Sequence, residues 1–205
     1  MKNRKNILTY IVAAVAILVS LAPIIGWAEK IDVSNHSITC HTVFGTASSK
    51  PPLLIGGTAP TTMKVRASVA GCAVTGPGSV SILSGKISGN VTATSNECIT
   101  LYQPLAGTLT IKWKASEATP IVPKSTTMEI KDVTFSGYQA PWGTSYGLFS
   151  LGVSSVTGAF TGGDNGATSS NVALTSQDLV EIVAQCASPA GFKTLNVGLG
   201  TITLQ

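Results

Sequence analysis

The chain has 205 residues, 11% charged side chains and a formal net charge of +4. Lys2, Arg4 and Lys5 supply three of the 13 basic residues, so beyond position 28 ten basic residues stand against nine acidic ones, a balance of about +1. A near-neutral balance argues against a basic patch for nucleic acid or another polyanion, and no nucleic-acid partner is predicted.

A secretory signal is predicted over residues 1–28. A basic start is followed by an apolar stretch from Ile7 to Ile25, and Gly26-Trp27-Ala28 then places small residues at the two positions that a signal peptidase recognises. The alternative is an uncleaved anchor, because the apolar stretch approaches the roughly 18 to 20 residues that span a bilayer. No later segment is long and apolar enough to span one. Residues 29–205 are therefore predicted to form a single domain of a secreted or extracytoplasmic, cell-envelope protein.

The predicted domain has the composition of a β protein, rich in Gly, Thr, Ser and Val. Period-two alternation is clearest where Leu109, Ile111 and Trp113 alternate with Lys112 and Lys114. Neighbours in a strand point to opposite sides, so Trp113 is predicted in the core and both lysines in water. Lys112-Trp113-Lys114 is therefore not expected to act as one binding surface.

Three other strands change phase partway along. In each of these strands the apolar residues change from odd-numbered to even-numbered positions, or the reverse. In a regular strand, the residues on one side of this change would point away from the core. A β-bulge or a short turn corrects such a change. The breaks are predicted at Gly85, at Asp132 and at Ser154-Ser155.

One helix is predicted near the carboxyl end of the chain. Leu179, Ile182, Val183 and Cys186 follow the spacing of a buried helical stripe. Thr175 and Asp178 resemble a capping box, and Pro189 and Gly191 end the helix. The fold class predicted from these elements is all-β, an antiparallel sandwich or barrel with one short C-terminal helix and two disulfides.

The disulfides are predicted from four cysteines that all follow the signal. An even number of cysteines in an exported chain favours two bridges. Four cysteines allow three pairings, and the sequence does not choose among them; we favour Cys40–Cys72 with Cys98–Cys186. A metal site is the weaker alternative, because the chain has no C-x-x-C and the cysteines are widely scattered.

Several segments together resemble a group of small, uncharacterised, exported actinobacterial proteins that are rich in β structure and carry four cysteines. The resemblance covers nearly all of residues 29–205. Its motifs are structural, so it implies a fold and no catalytic or binding residue. The segments are Gly71-Cys72-Ala73-Val74-Thr75-Gly76, Ser84-Gly85-Lys86, Cys98, the strand from Gly107 to Lys114, Gly162-Gly163-Asp164-Asn165-Gly166, and the helix with Cys186.

The candidate ligand-binding residues are Tyr138, Trp142 and Tyr146. They recur every four residues, but Pro141 between them excludes a helix, so the segment is predicted as a loop between two strands. Aromatic rings on such a loop can stack on sugars or pack against a protein. The alternative is that they fold back and cover one end of the core.

No catalytic, metal or cofactor site is predicted. His36 and His41 flank Cys40, and Asp32 is the only nearby acid, but solvated histidines are the favoured interpretation, because with Cys40 in a disulfide no second-shell partner is visible in the sequence. Asp164-Asn165-Gly166 is better explained as a turn than as a calcium loop. The chain has no nucleophile elbow, and its only histidine bases are the N-terminal residues His36 and His41, so a hydrolase with an unrecognised site is the least favoured hypothesis. The favoured one is a non-catalytic protein acting through its surface, with envelope polysaccharide or protein as candidate partners; a carbohydrate-binding module is the alternative.

Overall fold

A computed structural model describes residues 29–98, 105–139, 145–162 and 171–204. The secondary structure there is almost entirely extended. One helix, α1, occupies Leu179–Ala187. The strands are Ile31–Asp32 (β1), Ser37–Leu53 (β2), Thr61–Thr75 (β3), Ile82–Ala93 (β4), Ala106–Ala115 (β5), Ile121–Val122 (β6), Ser125–Gln139 (β7), Ser145–Gly158 (β8), Asn171–Asp178 (β9) and Phe192–Leu204 (β10).

Eight of these strands form a closed antiparallel barrel in the order β10-β2-β3-β4-β5-β7-β8-β9. Each barrel strand pairs with the next one along the chain, and the last, β10, pairs back with β2. The connections therefore alternate between the two ends of the barrel. The predicted all-β fold with one short helix is confirmed, and the sheet adopts the barrel, one of the two predicted arrangements.

The barrel interior is filled by the apolar side chains that occupy every second position of its strands. On β5, Leu109, Ile111 and Trp113 are buried, whereas Lys112 and Lys114 are exposed. The inside-out assignment of this strand is thus confirmed. The largest fully buried side chains come from β2, β5, β7 and β10 and from segments at the barrel ends: Phe160, Phe192, Ile38, Leu53, Ile111, Ile121, Met128, Ile202 and Leu204.

The N-terminal segment lies across one end of the barrel. Its strand β1 pairs in parallel with β6, which connects β5 to β7. The carbonyl of Val33 then accepts the backbone N–H of Phe160 at 2.9 Å. Phe160 has a φ of 57° and is fully buried, so a large ring occupies a left-handed position that non-glycine residues rarely adopt. Burial of the ring offsets the conformational cost of that position.

Both predicted disulfides are present. Cys40 and Cys72 are directly opposite residues of β2 and β3, and they form one bridge. Cys98 and Cys186 form the other, which connects the segment after β4 to helix α1. The two bridges indicate an oxidising environment. No helix in the described residues is long and apolar enough to cross a membrane.

The predicted phase breaks are found, with one displaced. The β7–β8 ladder shifts register on both sides of Ile130, within a residue of the predicted sites Asp132 and Ser154. The third shift lies between Ile82 and Ser84, not at Gly85. Gly85 faces Trp113 across the β4–β5 ladder, and a Cβ there would lie 2.9 Å from that ring. Gly85 therefore leaves space for the ring of Trp113. This close approach, and not a bulge, explains why position 85 is a glycine.

The predicted start of the helix is wrong. Thr175 and Asp178 both belong to strand β9, and α1 begins directly after it at Leu179. Ile182 and Cys186 are buried as predicted, but Val183 is 61% exposed. The helix is short, and it covers the barrel end with a narrower stripe than the sequence spacing suggested.

Candidate functional site

The aromatic candidates lie at the turn between β7 and β8. The register places Tyr138 directly opposite Tyr146 on the paired strands. Trp142 lies outside the described residues, as does the segment 163–166 with its predicted turn. The structure therefore brings the backbones of two of the three candidates together and leaves their role as a prediction.

The two histidines differ in burial. His36 is only 3% exposed, and its Nε2 lies 2.7 Å from the carbonyl oxygen of Pro77, whereas its Nδ1 has no hydrogen-bond partner. His41 is exposed on β2. The interpretation of His36 as solvated is thus wrong, because the residue anchors the β3–β4 turn beneath the N-terminal segment. Nowhere in the described chain do three metal-ligating side chains come together.

The side chain of Asp32 forms hydrogen bonds to the nearby Ser34. Its Oδ1 accepts the backbone N–H of Ser34 at 2.9 Å and the Ser34 hydroxyl at 2.7 Å. These two hydrogen bonds favour the charged carboxylate and lower the pKa of Asp32. The arrangement is a local turn that fixes the entry of the chain into β2.

Five exposed cations gather on the outer surface of β3, β4 and β5. Lys86 and Lys112 are directly opposite each other across the β4–β5 ladder. The remaining cations lie on the same outward parity of β3 and β5, and all five are exposed. We name this group the basic face and define it by Lys64, Arg66, Lys86, Lys112 and Lys114.

Glu129 of β7 borders this surface, exposed and directly opposite Thr108 of β5, but no acidic residue lies within it. Strands β2, β3, β4 and β5 contain no Asp or Glu, whereas all nine acidic residues of the chain lie in other segments. Within the described residues, none of the five cations forms an ion pair. Directly opposed like charges such as Lys86 and Lys112 destabilise a sheet. The prediction that a near-neutral balance leaves no basic patch is therefore wrong, since net charge does not report how charges are distributed.

A shallow, open concavity of about 570 Å³ lies on the basic face. Four of the five cations contribute to its wall, together with neutral polar side chains such as Ser88 and Asn90. Phe44, which is 54% exposed, forms part of its rim. The concavity combines positive charge, hydrogen-bonding groups and one exposed ring, which is a chemistry suited to an anionic, hydroxylated ligand.

The signal that locates the basic face was present in the sequence. Lys64 and Arg66 are two residues apart and so lie on one face of their strand, and the same holds for Lys112 and Lys114. No acidic residue occurs between Asp32 and Glu97. The missing information was the register between strands, which places Lys86 beside Lys112.

A comparison of the chain with protein-family models, curated proteins and solved structures finds no match.

Proposed function

We propose that this protein is exported, is not an enzyme, and binds a partner in the cell envelope through its surface. The observation that carries the proposal is the basic face, whose five exposed cations lie on three adjacent strands that contain no acidic residue. An unpaired cluster of like charge costs folding free energy, so its presence is best explained by a partner that neutralises it.

Export is supported by the predicted signal over residues 1–28 and by the two disulfides, which persist in oxidising compartments. The resemblance to exported actinobacterial proteins agrees with this location. An exported protein of this size with a filled barrel interior offers its outer surface to partners. Residues 1–28 fused to a reporter that becomes active only after export should give reporter activity, and a reporter that stays inactive would contradict the location.

Envelope binding is tested by sedimentation. The purified full chain is mixed with washed envelope fragments of the producing organism and centrifuged. We expect the protein to sediment with the fragments and to be released by added salt, because the proposed contact is ionic. Protein that stays in the supernatant at low ionic strength would overturn the proposed function.

A carbohydrate-binding module acting through the β7–β8 turn is the second candidate. It is favoured by the register that pairs Tyr138 with Tyr146. In the same assay the double variant Y138A/Y146A distinguishes the two. If it abolishes sedimentation while the basic face is intact, the aromatic turn is the binding site and not the basic face.

A further inference from the structure

The cations of the basic face form a diagonal track across three strands. Lys64 and Arg66 lie two residues apart on β3, Lys86 follows on β4, and Lys112 and Lys114 continue on β5. The ladders order them, since Ser68 pairs with Lys86, which in turn pairs with Lys112. With strands about 4.8 Å apart and side chains on one face about 6.7 Å apart, the track is about 20 Å along the strands and about 10 Å across.

A track of successive positive charges suits a linear polymer with an anionic group on successive units. Four of the five cations are lysines, whose ammonium groups attract anions without demanding a fixed planar geometry. A ligand with a single charge would contact only one end of the track. The length of the track therefore favours a chain over a small anion.

Neutral hydrogen-bonding groups fill the spaces between the cations. Ser88 pairs with Arg66 on one side and with Thr110 on the other, and Asn90 pairs with Lys64. Hydroxyl and amide groups can donate to and accept from sugar hydroxyls. The combination of charge and neutral polar groups matches a charged polysaccharide.

Two other polyanions fit the surface less well. Single-stranded nucleic acid is bound by aromatic side chains on which successive bases stack, and the concavity has one exposed ring, Phe44. An anionic membrane would pair its headgroups with the cations alone and would not account for the neutral polar side chains Ser88 and Asn90 beside them.

We infer that the basic face binds an acidic polysaccharide, a linear glycan whose carboxylate or phosphate groups follow the diagonal track. This inference rests on the proposed function, because it names the partner for the surface proposed there. The cations neutralise the chain, and the interleaved Ser, Thr and Asn side chains bond its hydroxyls.

The test uses polygalacturonate, a linear polymer with one carboxylate per sugar, and its methyl ester as the matched uncharged ligand. Binding to the purified full chain is measured by calorimetry at several NaCl concentrations. We expect polygalacturonate to bind, with an affinity that falls steeply with salt, and the ester to bind at least about tenfold more weakly. Equal binding of both polymers, or of neither, would overturn the inference.

The matched variants remove the same charge from different surfaces. K86Q/K112Q changes the pair at the centre of the track, whereas K131Q/K193Q changes two exposed lysines on β7 and β10. We expect K86Q/K112Q to lose about tenfold or more in affinity and to lower the salt slope by about two, one for each contact. K131Q/K193Q should bind as the parent does. An equal loss in both variants would show nonspecific attraction and overturn the inference.

Two further binding measurements distinguish this inference from its alternatives. Vesicles of phosphatidylcholine with phosphatidylglycerol, and a single-stranded oligonucleotide, are compared with polygalacturonate at one ionic strength. Tighter binding to either would overturn the polysaccharide assignment. If the protein sediments with envelope fragments but excess polygalacturonate does not release it, this inference fails while the proposed function stands; absence of sedimentation removes both.

Discussion

Trp113 shows how one residue connects the strand pattern to the core. Its ring lies edge-on to Phe160, with centroids 5.2 Å apart, and its Nε1 donates to the Thr126 hydroxyl at 2.8 Å. The Thr126 hydroxyl in turn donates to the carbonyl of Ala159. A buried indole with a satisfied N–H is a main contributor to core stability.

Replacing Trp113 by Ala should therefore lower the free energy of unfolding by about 3 to 5 kcal/mol, as large aromatic truncations in cores do. The control, K112Q/K114Q, alters the exposed neighbours and should change it by less than about 0.5 kcal/mol. Urea denaturation compares both with the parent. An unchanged midpoint for Trp113→Ala would contradict the interior position of the ring.

Asn96 is a buried polar residue that joins three segments at the helical end of the barrel. Its Nδ2 donates to the Pro52 carbonyl at 2.8 Å, and its Oδ1 accepts the N–H of Ala59 at 2.9 Å. Asn96→Ala leaves both groups without these bonds, and we expect a loss of about 2 to 3 kcal/mol. Asn90→Ala, at an exposed position of β4, is the control for urea denaturation and should be nearly neutral. Similar midpoints for the two variants would refute a structural role for Asn96.

Asp32 provides a test of local electrostatics. The Ser34 backbone N–H, and then its hydroxyl, hold the pKa of Asp32 below its ordinary value. Because the folded-state pKa is the lower one, the stabilisation is complete above the unfolded pKa and is lost as pH falls through the folded pKa. An NMR titration of the Asp32 carboxyl should show the lowered midpoint, and Ser34→Ala should raise it part of the way back. A midpoint that Ser34→Ala leaves unmoved would assign the shift to another cause.

At the scale of elements, helix α1 depends on long-range anchoring. The helix is nine residues long, and isolated helices of this length are not stable in water. The Cys98–Cys186 bridge connects it to the chain 88 residues earlier, and the Cys186 carbonyl accepts the N–H of Ile55 at 3.3 Å. The bridge and this contact hold α1 against the barrel end.

Removing that bridge in C98A/C186A should cost about 4.6 kcal/mol in the chain-entropy model, because it closes the longer of the two loops. C40A/C72A, whose cysteines are 32 residues apart, should cost less, about 3.7 kcal/mol in the same model. Hydrogen exchange distinguishes their local effects. Amides of α1 should lose protection in C98A/C186A and keep it in C40A/C72A; protection retained in both would show that packing alone holds the helix.

At the scale of the whole molecule, five exposed cations share one side of the barrel. Without acidic partners, the cations of the basic face repel one another, and salt screens that repulsion. Raising NaCl from about 10 mM to about 200 mM should therefore stabilise the parent by a few tenths of a kcal/mol. Urea denaturation at each salt concentration measures the effect.

The variant K86Q/K112Q supplies the comparison for this salt effect. It removes the directly opposed pair and should unfold at a higher urea concentration at low salt, with a weaker salt dependence than the parent. A salt response identical in both proteins would mean that the repulsion is not centred on this pair.

The class of fold, the orientation of β5, the number of disulfides and most of the phase breaks could be predicted from the sequence alone, whereas the pairing of the cysteines could not. These features depend on local periodicity or on the identity of residues, which the pleat and the chemistry of cysteine convert directly into structure. Trp113 and its two lysines are the clearest case. The choice of a closed barrel, the burial of His36 and the true start of α1 were decided only by tertiary contacts.

The basic face belongs to the second group for a specific reason. Its cations come from three strands, and the pairing of Lys86 with Lys112 depends on a register that a bulge beside Leu83 helps to set. A shift of β4 by one residue would turn Lys86 inward, because such a shift moves every side chain of the strand to the other face. Composition gives only a near-neutral sum, whereas the closed sheet places five of the positive charges together on strands that carry no negative charge.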